Sequence, residues 1–219
     1  MSDWLENREL VASACKQIYK GGLVKLGEGN ISSRIPSKDE MIITPAGTDY
    51  DNPLAEHMVH VGFDGTNFDM GDGLVPSSEF FLHRHIYQHR IGVNAIIHAH
   101  SPYVSVLAIN HQDLPVIFEE MGVVFGGPVK CSKFATAGTE DLPKMALNAM
   151  GKYNCCILAN HGSVVTGKSM DYCIHAVMIL EKMAKIYVHA KVIGTPIEIP
   201  KEKYQPFAEI FIKKYSIKN

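Results

Sequence analysis

The chain has 219 residues, and its 21 lysine and arginine residues against 23 aspartate and glutamate residues give a formal net charge of −2. This balance offers no electrostatic reason to expect nucleic acid or an anionic membrane surface as a partner. No apolar run approaches the ~20 residues of a membrane span, and the N-terminus lacks the pattern of a signal peptide. The five cysteines form no C-x-x-C pair, and this odd number of thiols, most of them expected to be buried, predicts a protein of the reducing cytoplasm.

The predicted elements, taken in chain order, alternate between helices and short strands. Helices are predicted at 3–20, 76–90, 169–190 and 202–215, and strands at 28–35, 40–44, 58–63, 66–68, 94–100, 115–118 and 155–159. Gly21-Gly22 ends the first helix, Asp64-Gly65 is typical of a hairpin turn, and Ser169 is a candidate N-cap. No repeat or linker divides the chain, so one α/β domain with a sizeable core is predicted over 1–219.

Two histidines at the end of the predicted strand 94–100 carry the strongest chemical signal. Side chains two residues apart on a strand point to the same face, so His98 and His100 project together. His161 follows the predicted strand 155–159 and offers a third imidazole at a strand end. Three neutral nitrogens around a divalent cation leave one position open, which is the arrangement of catalytic zinc sites.

Three segments of small residues are candidates for binding an anion. Gly29-Asn30 enters a strand, Ala46-Gly47 follows a strand, and Ser77-Ser78 precedes a helix whose free N–H groups and dipole favour negative charge. Each segment alone has an ordinary structural interpretation as a hairpin turn, a strand-ending turn or a helix cap. The chain has no Walker lysine motif, and a glycine-rich turn before a strand is the wrong context for a dinucleotide fold.

Glu79 is the candidate general base, although a carboxylate in the first turn of a helix also simply complements the helix dipole. Beside a divalent cation, the same carboxylate could bind the metal and later accept a proton. His85 and His89 lie four residues apart and form an alternative metal pair, but no acidic residue supports them. The favoured interpretation of His85 and His89 is as packing or surface residues, like His57, His60, His111, His175 and His189.

The order of these motifs resembles that of the class II aldolase/adducin head family, over about residues 5 to 190. The motifs are Gly29-Asn30-Ile31-Ser32, Thr44-Pro45-Ala46-Gly47, Pro76-Ser77-Ser78-Glu79, His98-Ala99-His100 and Asn160-His161-Gly162. The resemblance implies a three-layer α/β/α fold around a central, largely antiparallel sheet. It also implies a homotetramer with a zinc site at each subunit interface.

The resemblance further assigns roles to individual residues. The implied zinc ligands are His98, His100 and His161, with Glu79 as the labile fourth ligand and base. The implied phosphate-binding residues are Asn30, Gly47, Ser77 and Ser78, with Gly29 and Ala46 at adjoining positions. Glu120 stands where the family has a tyrosine proton donor, and Tyr215 matches a second tyrosine that a neighbouring subunit provides. Three imidazoles and one carboxylate would also accept Mn²⁺ or Co²⁺.

Several features favour the aldolase branch of this family. The epimerase branch usually has aspartate in place of Glu79, threonine in place of Ala99, and a further histidine downstream, which 119–127 lacks. The expected reaction is therefore zinc-dependent cleavage of an L-fuculose 1-phosphate-like ketose 1-phosphate to dihydroxyacetone phosphate and an aldehyde, through a metal-stabilised enediolate. The replacement at Glu120 leaves the aldehyde half of the substrate open, and Glu120 has an ordinary loop carboxylate as its alternative interpretation.

Three other functions stay open at this point. Two are sister enzymes, a 4-epimerase of the L-ribulose-5-phosphate type and a methylthioribulose-1-phosphate dehydratase, which would use the same metal without releasing an aldehyde. The third is a non-catalytic interaction head of the adducin kind. Such a head needs no metal ligands, whereas this chain carries all three histidines and Glu79.

Overall fold

The structure is a computed structural model that describes residues 4–69 and 73–217. Its helices are α1 (Leu5–Lys20), α2 (Phe80–His89), α3 (Pro102–Ile109), α4 (Glu119–Phe125), α5 (Asp141–Met150), α6 (Met170–Ile193) and α7 (Lys201–Lys214). Its strands are β1 (Asn30–Arg34), β2 (Glu40–Ile43), β3 (Val59–Gly62), β4 (Ala95–Ala99), β5 (Cys155–Leu158) and β6 (Gly162–Gly167). In the part of the chain described, no helix is both long and apolar enough to cross a membrane.

The six strands form one sheet in the order β3-β2-β1-β4-β6-β5, and every neighbouring pair is antiparallel. Strand β4 lies near the middle, where Asn30 of β1 is opposite His98 and Ser163 of β6 is opposite Ala99. The largely antiparallel sheet predicted from the resemblance is therefore confirmed. Its register already brings the start of β1 and the start of β6 to the end of β4.

Helices cover both faces of the sheet, which confirms the three-layer architecture. Because strand side chains alternate between faces, Ile97 packs into one apolar cluster and Ile96 into the other. The first cluster joins the sheet to α1, α3, α4, α6 and α7, and the second joins it to α2 and α5. This double burial explains why β4 carries apolar residues on both of its faces.

Several elements differ from those predicted. The strand predicted at 115–118 is irregular backbone, and at its start Leu114 makes only an isolated bridge to Val129. The second hairpin strand at 66–68 is reduced to a single bridge between Val61 and Asn67, on the edge of β3 that does not pair with β2. Helix α2 begins one residue after Glu79, so Glu79 is its N-cap rather than a first-turn residue.

Helices α3, α4 and α5 and strand β6 are not predicted from the sequence, and neither is a short 3₁₀ helix at Ala55–His57. The α3 sequence is a short apolar run, and such a run does not by itself distinguish a helix from a strand. Strand β6 starts and ends in glycine and is buried throughout, so no alternation of polar and apolar residues marks it. The helices predicted at 169–190 and 202–215 are confirmed, and the Ser169 Oγ accepts a hydrogen bond from the Tyr172 amide. Residue 3 of the first predicted helix lies outside the described residues.

Candidate metal centre

Four side chains from separate parts of the sequence meet at the end of β4. His98 lies on β4 and His100 follows it, while His161 precedes β6, the strand paired with β4. Glu79 reaches the same place from the start of α2. The structure thus brings together all four residues for which the resemblance implies metal binding.

The four side chains lie close enough together to surround a single ion. His98 Nε2 lies 2.9 Å from both Glu79 Oε2 and His100 Nε2, and His161 Nε2 lies 3.3 Å from Glu79 Oε1. All four candidate ligand atoms fall within 4.8 Å of one another. In a tetrahedral site with bonds of ~2.0–2.1 Å, ligand atoms are about 3.4 Å apart, so these positions suit a single ion.

Two glycines permit the close approach of backbone that forms this centre. A Cβ at Gly162 would lie 2.5 Å from the Ala99 carbonyl oxygen and 2.8 Å from His100 Cδ2. A Cβ at Gly29 would lie 2.6 Å from the His98 carbonyl oxygen, and Gly29 also has a φ of +78°. Any larger side chain at either position would displace the strand that carries the histidines.

Hydrogen bonding prepares His98 to bind a cation. Its Nδ1–H donates to the Ser163 carbonyl oxygen over 2.9 Å, because a carbonyl can only accept. The lone pair of a neutral ring is then on Nε2, which faces the other three side chains. This backbone anchor is the usual arrangement around a metal-binding histidine.

The electrostatics of the group also fit a cation. Burial lowers the pKa of His100 and of His161 to about 4, so both rings are neutral near pH 7 and have a free lone pair. Burial alone would raise the pKa of Glu79, but the nearby imidazoles of His98 and His161 and the Asn30 amide hold it well below its usual range. Among the described residues, the buried Glu79 Oε1 accepts no hydrogen bond, which leaves a carboxylate oxygen for a positive ligand.

The alternative pair, His85 and His89, does not assemble a comparable group. The two rings stack with centroids 4.0 Å apart, and His89 Nδ1 donates to the His85 carbonyl oxygen within the same helix. Within the described residues, only the Glu79 group brings three or more histidine, cysteine or acidic ligand atoms together.

The three small-residue segments predicted to bind phosphate converge beside Glu79. The Ser77 amide donates to the Thr44 carbonyl oxygen over 3.0 Å, and Ser77 Oγ accepts a hydrogen bond from the Glu79 amide. A Cβ at Gly27 would lie 3.3 Å from Gly47 Cα, so the first two turns also touch. These contacts place an open, small-residue surface next to the metal-binding group.

The residues of this surface differ in how accessible their donor groups are to an anion. Gly47 has a φ of +72°, and a Cβ there would meet nothing within 4 Å, so the space in front of it is open. Ser78 is exposed, whereas the Ala46 amide already donates to the Val75 carbonyl oxygen. Phosphate binding by these residues stays a prediction.

Asn30 is buried, and its side chain already forms hydrogen bonds within the protein. Its Nδ2 donates to Glu79 Oε2 over 2.9 Å, and its Oδ1 lies 2.6 Å from His83 Nε2. One N–H of Nδ2 remains for a ligand. The structure therefore gives Asn30 a contact with the candidate base, in addition to its predicted contact with phosphate.

Glu120 and Tyr215 do not join the group within one chain. Glu120 lies in the first turn of α4 and forms a 3.0 Å ion pair with Lys182 of α6. Tyr215 stacks on Tyr172, and its carbonyl oxygen accepts a hydrogen bond from Asn154, which precedes β5. The metal group lies at the other end of β5, so the catalytic roles of both residues stay predictions.

Sequence reasoning missed two residues that support the centre. The Ser163 carbonyl orients His98, and nothing in the sequence marks a backbone acceptor. His83 contacts Asn30 and is completely buried, although no role at the centre is predicted for it from the sequence. Its spacing of four residues from Glu79 was the available signal, because that spacing puts both on one side of α2.

Comparison with known proteins places this geometry in context. The profile described as Class II Aldolase and Adducin N-terminal domain matches residues 9–188. A 5-deoxy-D-ribulose 1-phosphate aldolase of Bacillus thuringiensis serovar kurstaki is 30% identical over 207 residues, 94% of this chain and 95% of that protein. A 5-methylthioribulose-1-phosphate/5-deoxyribulose-1-phosphate aldolase of Rhodospirillum rubrum is 29% identical, covering 93% of this chain and 90% of that protein. The solved structure of an L-fuculose 1-phosphate aldolase matches with a TM-score of 0.88 at 32% identity, covering 97% of this chain and 98% of that one.

Proposed function

The chain belongs to the class II aldolase and adducin N-terminal domain family, and we propose that it cleaves a ketose 1-phosphate to dihydroxyacetone phosphate and an aldehyde. Its similar relatives are named aldolases, so the chain is an enzyme of the lyase class. The observation that carries the proposal is the convergence of three imidazoles and Glu79 beside the small-residue surface. A non-catalytic interaction head would have no use for such a group.

The proposed cofactor is one Zn²⁺ per subunit, with Mn²⁺ or Co²⁺ as substitutes. The nitrogens of His98, His100 and His161 and the carboxylate of Glu79 would hold it. When bound, a divalent cation supplies Lewis-acid polarisation of a substrate carbonyl, the task that a Schiff-base lysine performs in other aldolases. Elemental analysis of the purified protein tests this metal content. Less than one zinc ion per subunit after zinc loading would contradict the proposed cofactor.

The proposed role of Glu79 is to hold and move a proton. Its Oε1 lies without a hydrogen bond among the described residues, while Asn30 anchors its Oε2. A carboxylate with one anchored and one open oxygen is suited to give a proton to, or take one from, the substrate carbon next to the carbonyl. Its low pKa keeps Glu79 ionised at neutral pH, as a metal ligand must be; displaced from the metal when substrate binds, the carboxylate would be free to take a proton.

The proposed phosphate site uses the small-residue surface instead of lysine or arginine. Backbone and hydroxyl donors of Gly47, Ser77 and Ser78 would face the phosphate, together with the remaining Asn30 N–H. Gly29 and Ala46 would lie at the adjoining positions of the two turns. Such sites bind anions through N–H groups aimed at the ligand, without a formal positive charge.

The candidate substrates differ in their aldehyde half. L-fuculose, L-rhamnulose, 5-deoxyribulose and 5-methylthioribulose 1-phosphates all share the phosphate and carbonyl that the site would recognise. We propose a homotetramer in which Tyr215 of a neighbouring subunit approaches this end, because Tyr215 lies at the far end of β5 within its own chain. Glu120 is the proposed replacement for the family's tyrosine proton donor.

Proton exchange on dihydroxyacetone phosphate is the decisive test. The zinc-loaded protein is incubated with this compound in D₂O, and its C3 proton signals are followed by NMR before and after chelation. We expect stereospecific loss of one proton signal, dependent on metal. His85→Gln, which changes a histidine outside the group, serves as the matched control and should exchange at the native rate.

An absence of exchange, with metal verified as bound, would contradict the aldolase assignment. Ketopentose phosphates would then be tested for epimerisation and dehydration, which release no aldehyde. If exchange is seen, the four ketose 1-phosphates are compared by kcat/KM to identify the aldehyde.

A further inference from the structure

A continuous line of buried polar groups runs away from Glu79 into the protein. Asn30 Oδ1 lies 2.6 Å from His83 Nε2, and His83 Nδ1 lies 2.6 Å from Ser32 Oγ. Ser32 Oγ in turn lies 2.8 Å from the Tyr87 hydroxyl. The four side chains between Glu79 and the interior are all at least 98% buried, so water does not compete for their hydrogen bonds.

The line is built from two regular spacings that interlock. Glu79, His83 and Tyr87 follow one another at intervals of four on α2, which places them along one side of the helix. Asn30 and Ser32 are two apart on β1 and therefore point to the same face of the sheet. The helix residues alternate with the strand residues, so each polar group finds its partner on the opposite element.

The donor and acceptor capacities of these groups determine the direction of every hydrogen bond in the line. A carboxylate only accepts hydrogen bonds, so the Asn30 group that meets Glu79 Oε2 is the amide nitrogen, and Oδ1 faces His83. Oδ1 only accepts, so His83 carries its proton on Nε2. Burial lowers the pKa of His83 to about 3, so the ring is neutral and Nδ1 accepts from Ser32. Ser32 has then used its proton, and the Tyr87 hydroxyl donates to it.

We propose that His83 is a positioning residue for the reaction, which holds the Asn30 amide in the orientation that anchors Glu79 Oε2. This inference rests on the proposed function. Without the Nε2–H donor, the Asn30 amide could rotate and present its oxygen to the Glu79 carboxylate, where two acceptors would repel each other. Acting through Asn30, His83 thereby determines which oxygen of Glu79 is held by a hydrogen bond and which is left without one.

Two substitutions separate this role from simple packing. In His83→Gln the side-chain nitrogen reaches the position of the imidazole Nε2 and keeps the donor to Asn30. In His83→Asn the shorter amide occupies the position of Nδ1 and leaves Asn30 without that donor. We expect His83→Asn to lower kcat by roughly 10- to 100-fold, the effect typical of partners that orient metal-site residues, with KM little changed. His83→Gln should stay close to the native rate.

Tyr87→Phe is the matched control within the same line. It removes the last hydroxyl but leaves Ser32 free to donate to His83, so turnover should be retained even if the melting temperature falls. Equal kcat in His83→Gln and His83→Asn, whether both are native or both are reduced, would overturn the proposal. A loss in Tyr87→Phe as large as that in His83→Asn would also overturn it, because turnover would then depend on the packing of these buried side chains and not on the donor to Asn30.

A measurement on the native protein tests the inference without any activity. Nitrogen-15 NMR of the His83 ring distinguishes the two neutral tautomers, and we expect the proton on Nε2. A proton on Nδ1 would overturn the proposal even in a fully active enzyme. If the native protein shows neither proton exchange nor cleavage but does show the Nε2–H tautomer, it is the proposed function that has failed, and the geometry of the line stands.

Discussion

Glu79 lies where the two chemical parts of the centre meet, between the imidazoles on one side and the Asn30 amide on the other. Its carboxylate is close to His98 and His161, and its backbone amide binds Ser77 at the edge of the small-residue surface. A single residue thus connects the metal-binding group with the proposed phosphate site. Position rather than residue type alone distinguishes it from the other acidic residues.

Replacing Glu79 with glutamine tests its role as base. Glu79→Gln keeps the size of the side chain but cannot accept a proton, so we expect the fold and most phosphate binding to remain. Turnover should fall at least ~100-fold, the low end of the contribution of general acid–base catalysis. Metal content is measured alongside, and Glu28→Gln in the neighbouring turn is the control. Near-normal turnover in the metal-loaded variant would remove Glu79 from the mechanism.

Gly162 is the second residue whose identity the geometry demands. Gly162→Ala would place a Cβ 2.5 Å from the Ala99 carbonyl oxygen and 2.8 Å from His100, so β4 or the His100 ring must move. We expect zinc affinity to fall at least ~10-fold, as it does when groups that orient metal ligands are altered. The measurement is the zinc-dependent rise in melting temperature. Gly194→Ala, where a Cβ meets nothing within 4 Å, is the control. A native zinc response in Gly162→Ala would contradict this prediction.

At the scale of elements, helix α3 keeps the end of β4 in place. It begins at Pro102, two residues after His100, and its first free amides need acceptors. Glu181 of α6 supplies them, because its carboxylate accepts hydrogen bonds from the Tyr103 and Val104 amides at 2.9–3.2 Å. A carboxylate from a distant helix therefore acts as the N-terminal cap of α3.

Removing this cap should destabilise the protein measurably. Glu181→Ala leaves two amides without their partner, and we expect a loss of about 1–2 kcal/mol, the usual effect of deleting a helix cap. For a chain of this size the melting temperature should fall by roughly 2–8 °C. Glu181→Gln retains an acceptor and should show a smaller loss. A native melting temperature for Glu181→Ala in calorimetry would show that the cap contributes nothing.

At the scale of the whole molecule, an apolar surface borders the metal centre. Lys191 binds Gln112 over 3.2 Å, which brings the ends of α3 and α6 together. The exposed apolar residues at these ends are Ile109, Val192 and Ile193. The Asn160 amide donates to the Ala108 carbonyl oxygen, so this surface adjoins the turn that carries His161. We expect these residues to contact a neighbouring copy of the chain in the proposed tetramer.

Disruption of this surface tests the proposed tetramer. Light scattering after gel filtration should give four copies of the 24.2 kDa chain, about 97 kDa. Ile193 is 90% exposed in the single chain, so Ile193→Asp should leave the fold intact while lowering the mass of the assembly. Ile91→Asp, at a position 76% exposed and distant in sequence, is the control. A native protein that elutes as a monomer would contradict the tetramer.

Much of the centre was predictable because its chemistry lies in short local patterns. His98 and His100 share a face through the two-residue repeat of a strand, and their order along the chain with Glu79 and His161 carries the family resemblance. Long helices such as α6 were predictable for the same reason, since capping and periodicity are local. The sequence by itself therefore determined the family, the metal-binding residues as candidates and the layered architecture.

Only the tertiary structure decided which groups support those residues. The orientation of His98 depends on the Ser163 carbonyl, and backbone groups are the same in every residue, so no sequence pattern marks that contact. The roles of His83 and Asn30 depend on α2 crossing β1 in one register, and α3 and β6 depend on burial that a short apolar run does not reveal. These features arise from long-range packing, whose partners are distant in sequence, and that is why the fold had to be known before they could be assigned.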